Sequence, residues 1–360
     1  MVSDPGFTPR KLSLTHSTAP GSLWYYAPNK GAPIAFAVFF AISGSIHVWQ
    51  CFKYKCWKVG GLLPWAAAVF VSGFVLREVG AFNYSNLNIF ISSTVLLLVA
   101  PPVYEGANYF LLGRILYYVP YHSPLHPGRV VTTFIGIDAV IGALTGNGAA
   151  NVSNSSLPQS KVTMGKNLLK AALILQLASM AGFVAIAARY QYKCRQTGVL
   201  SPNLRTVLIT LYTSCALISI RTIYRTVEYF MVASLNANTN FKKISPIIKH
   251  EAFFWVFEAT LMLLNSVLMN TFHPSRFLPR NNKIYLSEDG VTEIEGPGYD
   301  DKRPFLVTLF DPFDIAGLIT RRDKKNRYWE NGTSTAAAAT ATQEPQNEKV
   351  SANTVSNGAV

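Results

Sequence analysis

The chain has 360 residues, of which 49% are hydrophobic and only 14% charged. A soluble globular protein carries about 25% charge, so an ordinary soluble domain is excluded and a membrane protein is expected. Lys and Arg outnumber Asp and Glu by 21 to 7 over residues 1–272, while residues 273–360 hold 11 and 12. The excess basic residues sit in short connectors between apolar runs, not on one soluble module as nucleic-acid binding requires, so no nucleic-acid partner is expected.

Residues 1–30 are polar and carry Pro5, Pro9, Pro20 and Pro28 without an apolar core. No signal peptide is expected, and the first apolar run serves as its own insertion signal. Seven runs approach the ~20 residues that a crossing needs, near 32–51, 61–80, 87–112, 130–150, 167–188, 205–227 and 252–272. They predict an all-α fold class, a polytopic seven-transmembrane-helix bundle over residues 31–275. The fourth run is Gly-rich and contains Gly142-x-x-x-Gly146, a small-residue spacing that reads as plain helix packing.

Basic residues set the orientation. One set of alternate connectors holds Lys53, Lys55, Lys58, Arg114, Arg129, Arg189, Lys193 and Arg195, continued after the last run by Arg276, Arg280 and Lys283. The other set has none at 81–86, then Lys161 and Lys166, then Lys242, Lys243 and Lys249. The first set leads, which predicts an extracellular N-terminal segment over 1–30 and a cytosolic C-terminus. Sequons at Asn83, Asn151 and Asn154 fall in loops that this orientation places outside, and they are the expected glycosylation sites. Asn331 also matches but falls in the tail, where it is expected to be silent. Cys51, Cys56 and Cys194 lie at or near cytosolic ends and Cys215 inside the sixth run, so no disulfide is expected. Cys51 and Cys56 read as ordinary thiols or as palmitoylation sites.

Residues 276–330 form the expected cytosolic tail. Within it, 301–330 reads as a surface helix or a solvated charge run, with Arg321, Arg322, Lys324, Lys325 and Arg327 facing the anionic cytosolic leaflet in the first reading. Residues 331–360 are rich in Ala, Thr, Asn and Ser and are expected to be disordered.

Charged groups inside apolar runs need partners or a task. Arg221, Arg225 and Glu228 share one side of the sixth run, and Glu251, Glu258 and Asn265 repeat every seven residues in the last. The two stripes are expected to meet, with Glu258 neutralising one arginine, either as a structural ion pair or as a site for a lipid headgroup. Pro101-Pro102 in the third run frees carbonyls one turn earlier, and Glu105 and Asn108 come next. If Glu105 faces Asp138 of the fourth run, both carboxylates cannot stay ionised cheaply, so the pair would hold a proton or receive a substrate cation. The alternative is that Arg114 or a buried hydroxyl satisfies them. Pro124 separates His122 from His126 and breaks any regular helix face. No convergent metal set is expected, and no GxxxxGK[ST] motif or other cofactor signal appears.

Five segments together resemble the fungal lipid-translocating exporter family, the RTA-like seven-span proteins. They are LLLVAPPVYEGANYFLLGRIL, FIGIDAVIGALTGNGAA, GKNLLKAALILQL, IRTIYRTVEYF and HEAFFWVFEATLMLLNSVLMNTFHPS, in the family's order over most of residues 60–275. The family often has a small or apolar residue where Glu105 stands. Its common Gln-Gly-x-Gly looks like Thr145-Gly146-Asn147-Gly148 here. The resemblance implies a non-enzymatic protein of the plasma membrane or an endomembrane. It also implies membrane lipids as partners, with export of sphingoid long-chain bases or tolerance to toxic amphiphiles. The polar residues within the runs, Glu105, Asp138, Arg221, Arg225, Glu228, Glu258 and Asn265, are the candidate substrate-contacting set. A seven-helix receptor or sensor shares the topology. Against its rhodopsin-type form, the third run ends in Leu-Gly-Arg114 and the last has neither Asn-Pro-x-x-Tyr nor a lysine.

Overall fold

The computed structural model describes residues 28–83, 86–123, 127–153, 157–233, 245–287, 290 and 292–296. The tail beyond 296, with the expected surface helix and its basic residues, lies outside the described residues, as does Asn154.

Among the described residues, seven helices are long and apolar enough to cross a bilayer. Span 1 is Ala32–Tyr54, span 2 Leu62–Phe82, span 3 Leu87–Tyr118 and span 4 Pro127–Ser153. Span 5 is Gln159–Gln196 and span 6 Pro202–Ala233. Span 7 is composite: a single turn at Ala252–Phe254, a π-helical stretch at Trp255–Thr260, and a regular helix at Leu261–Thr271. Span 5 has 38 residues, which at about 1.5 Å each far exceeds a ~30 Å hydrocarbon core. Its polar ends therefore continue the helix beyond the apolar run.

Each span packs on its neighbours in sequence, span 7 closes back on span 1, and span 3 also reaches span 6. Span 3 is thus the axis of the bundle. It runs as one helix through Pro101 and Pro102. Between spans 1, 2 and 7 lies an aromatic stack, with Phe40 on Phe70 at 4.5 Å and Phe36 on Trp255 at 5.2 Å. Between spans 3, 4 and 5, Tyr109, Phe134 and Phe183 pack ring to ring at 5.1–5.2 Å. Large apolar side chains such as Ile42, Trp49, Phe82 and Val140 face outward, as a lipid-solvated surface requires.

The expected small-residue packing in span 4 lies elsewhere. A Cβ added at Gly142 or Gly146 would meet nothing within 4 Å. One at Gly148 would stand 2.9 Å from the Gly165 carbonyl, and one at Gly165 would stand 2.7 Å from the Gly148 carbonyl. Spans 4 and 5 therefore meet backbone to backbone at Gly148 and Gly165.

A second departure from the sequence reading lies just after span 7. A 3₁₀ turn at Pro274–Arg276 leads to a short antiparallel pair, Ile284–Leu286 with Glu293–Glu295. Arg114 of span 3 holds this segment, donating to the carbonyls of Pro279, Asn281 and Ile284 at 2.9–3.2 Å. Tyr117 adds a bond to the Lys283 carbonyl.

Candidate functional site

Two stations inside the bundle are built around the buried carboxylates Glu258 and Glu105. The first joins spans 6 and 7. Arg221 and Arg225 stand one turn apart on span 6, so both guanidinium groups face the same stretch of span 7. Glu258 there is fully buried and Arg221 is 3% exposed. Arg221 donates to Glu258 Oε1 through Nε at 2.9 Å and Nη2 at 2.6 Å. Arg225 donates to Oε2 through Nε at 2.8 Å and to Glu228 at 2.7 Å. Tyr224 also donates to Glu228. One carboxylate thus serves two arginines, where the sequence suggested one.

Glu258 lies on the π-helical stretch. A π turn takes more residues than an α turn and so rotates the helical residues beyond it to a new phase. The seven-residue repeat of Glu251, Glu258 and Asn265 therefore does not keep one face, and the expectation that all three face span 6 is corrected. Glu251 turns to span 2, where it accepts from Arg77 at 2.7 Å and from the Asn29 backbone at 2.7 Å. The Arg77 guanidinium lies 4.1 Å from the centre of the Phe254 ring, and that of Arg225 lies 5.9 Å from it. The ring links the two ion pairs.

The second station joins spans 3, 4 and 5. Glu105, 1% exposed, accepts from Gln176 of span 5 at 2.8 Å and from Tyr109 at 3.5 Å. The same Tyr109 hydroxyl approaches Asp138 of span 4 at 3.3 Å. The two carboxyl groups are therefore brought together, bridged by a hydroxyl with one proton to give. Asp138 is only half-buried. Of the expected alternatives, the buried hydroxyl is present as Tyr109, joined by Gln176, while Arg114 bonds the segment after span 7. Asn108 meets Ser214 of span 6 with bonds of 2.8 and 3.2 Å. This contact gives a common level. Arg221 lies seven residues, about 10 Å, beyond Ser214, while Tyr109 is the residue next to Asn108. Glu105, three residues before Asn108 on the antiparallel span 3, lies on the same side as Arg221, so the two stations are about 6 Å apart in depth.

Asn265 lies two turns beyond Glu258, wholly buried, with neither its amide nitrogen nor its oxygen hydrogen-bonded among the described residues. A buried amide in this state is costly and calls for an explanation. A further polar seam, not foreseen from sequence, joins spans 1, 3 and 7. Ser266 bonds Ser43 at 2.6 Å, Tyr104 at 2.7 Å and His47 at 3.2 Å. Arg77, Tyr109, Gln176 and Ser266 were the residues missed. Arg77 carried the same signal as Arg221, a charge within an apolar run. The others are neutral, and only their partners reveal them.

Comparison with known proteins places the chain. The family model described as "RTA1 like protein" matches residues 65–281. A lipid-translocating exporter-like protein RTA1 of Leptosphaeria maculans is 41% identical over 86% of this chain, which spans 61% of that relative's length. A protein of the same description from Ajellomyces capsulatus is 33% identical, over 73% of this chain and 83% of its own. More distant is the sphingoid long-chain base transporter RSB1 of Saccharomyces cerevisiae, 23% identical over 78% of this chain and 81% of its own. No solved structure matches. The family match covers more than half of a chain whose described residues include seven helices long and apolar enough to cross a bilayer, and the chain belongs to the RTA1-like family of multi-pass membrane proteins.

Proposed function

We propose that this protein moves or exports amphiphiles across the bilayer, with sphingoid long-chain bases as the substrate class, and so confers tolerance to toxic amphiphiles. The observation that carries this reading is Asp138. It is a carboxyl group within a membrane span, half-exposed, whose one hydrogen bond among the described residues comes from a hydroxyl it shares with Glu105. An intramembrane carboxylate left open to its surroundings suits an incoming ammonium group. Asn265, enclosed with its amide unengaged, offers hydroxyls of a headgroup the donor and acceptor they need. The names of the relatives, lipid-translocating exporter-like and sphingoid base transporter, support the same class.

In this reading the N-terminus is outside and the C-terminus cytosolic, in the plasma membrane or an endomembrane. Glu251, Asn83 and Asn151 then lie at the outer end and His273 at the inner end. Asn83 comes directly after Phe82 at the end of span 2 and Asn151 lies in the last turn of span 4; these two and Asn154 are the proposed glycan acceptors. The anionic cytosolic leaflet is the proposed partner of the basic tail.

The test is transbilayer movement of a labelled sphingoid base by the purified protein in liposomes. Asp138→Asn is expected to abolish the protein-dependent rate with the protein still folded. A variant as active as the parent sinks the carboxylate mechanism.

A further inference from the structure

At the end of span 1 the chain brings two cysteines and a histidine together. The last helical turn closes with Lys55 at φ 52° and ψ 37°, the left-handed conformation that ends a helix in a Schellman motif. The two bonds of that motif are both present. The Lys55 N–H reaches the Phe52 carbonyl at 3.4 Å and the Cys56 N–H reaches the Cys51 carbonyl at 3.2 Å. This motif characteristically packs the side chains of the two residues joined by its longer bond, here Cys51 and Cys56. Their sulfurs lie 3.4 and 3.1 Å from a single point, the place a Cβ on Gly60 would occupy. Glycine at position 60 leaves that space to them.

His273, at the far end of span 7, completes the group. Its Nδ1 accepts the Ser275 N–H at 3.3 Å, which leaves the ring proton on Nε2. Nε2 stands 3.9 Å from Cys56 Sγ. The ring is held flat against Tyr54, with centroids 5.2 Å apart. A cavity of about 20 Å³ lined by Gly60, His273 and Ser275 adjoins the group, enough for one water-sized molecule. The hydrogen bond with Cys51 pulls the Cys56 thiol below its ordinary pKa, burial opposes this, and His273 and Ser275 add to the lowering.

We propose that Cys51 and Cys56 are a redox-active dithiol, oxidised by peroxide to a disulfide at the junction of spans 1 and 7. Cys56 sulfur attacks one peroxide oxygen, the O–O bond breaks, and hydroxide leaves as water with the thiol proton. This gives a sulfenic acid on Cys56. Cys51 sulfur attacks that sulfur, the S–O bond breaks, and a second water leaves with the Cys51 proton. Two thiols and one hydrogen peroxide yield one disulfide and two waters. The disulfide converts the thiol that His273 faces into a disulfide sulfur that carries no proton and cannot ionise, so the contact between the ends of spans 1 and 7 changes with redox state. This inference does not depend on the substrate proposed above.

The test exposes the purified full chain to hydrogen peroxide, then alkylates it in denaturant and maps it by mass spectrometry. Cys194 and Cys215, both buried, serve as internal references. The expected result is loss of alkylation at Cys51 and Cys56 at least about tenfold faster than at the references, with a Cys51–Cys56 peptide lighter by two hydrogens. In Cys51→Ser, dimedone should trap the sulfenic acid on Cys56. Equal alkylation of all four cysteines after peroxide, or no dimedone adduct in Cys51→Ser, would overturn the proposal. The first arm uses the unaltered chain, so a folding defect in the variant cannot mask the outcome.

Discussion

Arg221 directs two nitrogens, Nε and Nη2, at the same oxygen of Glu258, and Arg225 takes the other oxygen. The carboxylate is saturated by spans 6 and 7 alone, and a group so engaged is poorly placed to receive a substrate. Removing one partner of a buried pair costs about 3–5 kcal/mol, because the remaining charge is left unpaired. Glu258→Gln is therefore expected to lower stability by that order in a denaturant titration of the purified protein. Arg221→Met with Glu258→Met should recover much of the loss. A Glu258→Gln protein as stable as the parent would contradict the structural role.

Asn265 makes the opposite prediction. Its amide is buried without a partner among the described residues, which costs about 1–3 kcal/mol. Asn265→Leu, of similar volume, should raise stability by that order while reducing sphingoid-base movement in liposomes. Higher stability with unchanged movement would assign the amide no part in transport.

The glycines of spans 4 and 5 divide by what they face. Gly148→Ala forces a methyl to within 2.9 Å of the Gly165 carbonyl and should cost about 1–3 kcal/mol. Gly142→Ala and Gly146→Ala meet open space and should be neutral or gain up to about 1 kcal/mol from helix propensity. Thermal unfolding of the three variants decides.

Arg114→Leu removes the donor to three carbonyls after span 7. Hydrogen exchange across 284–286 and 293–295 is expected to rise sharply while spans 1–6 keep their protection. Arg114→Lys should restore only part, since an ammonium lacks the planar fork. Unchanged protection in Arg114→Leu would show that the short strands hold by themselves.

The seven spans were legible because a crossing needs about 20 apolar residues, and that requirement is written directly in composition. The meeting of Arg221 with Glu258 was legible too, since buried charges must pair. The π turn was not, because no proline or glycine marks Trp255–Thr260, and with it went the faces of Glu251 and Glu258. A buried hydroxyl beside Glu105 and Asp138 was an expected alternative, but its identity as Tyr109 was not legible, because a neutral side chain in an apolar run carries no cost that demands notice. The paired strands had a signal that went unread. Asp289-Gly290 is a turn-favouring pair within the six residues that join Leu286 to Glu293, and Gly290 has φ +71°.

In the proposed mechanism Asp138 receives the headgroup of a translocated amphiphile. The most direct test is the rate of labelled sphingoid-base movement across liposomes holding the parent protein, Asp138→Asn, or no protein. Movement with the parent protein well above the protein-free rate, and with Asp138→Asn at that rate, is the predicted result. Parent and variant moving the base equally, or neither exceeding protein-free liposomes, would contradict it.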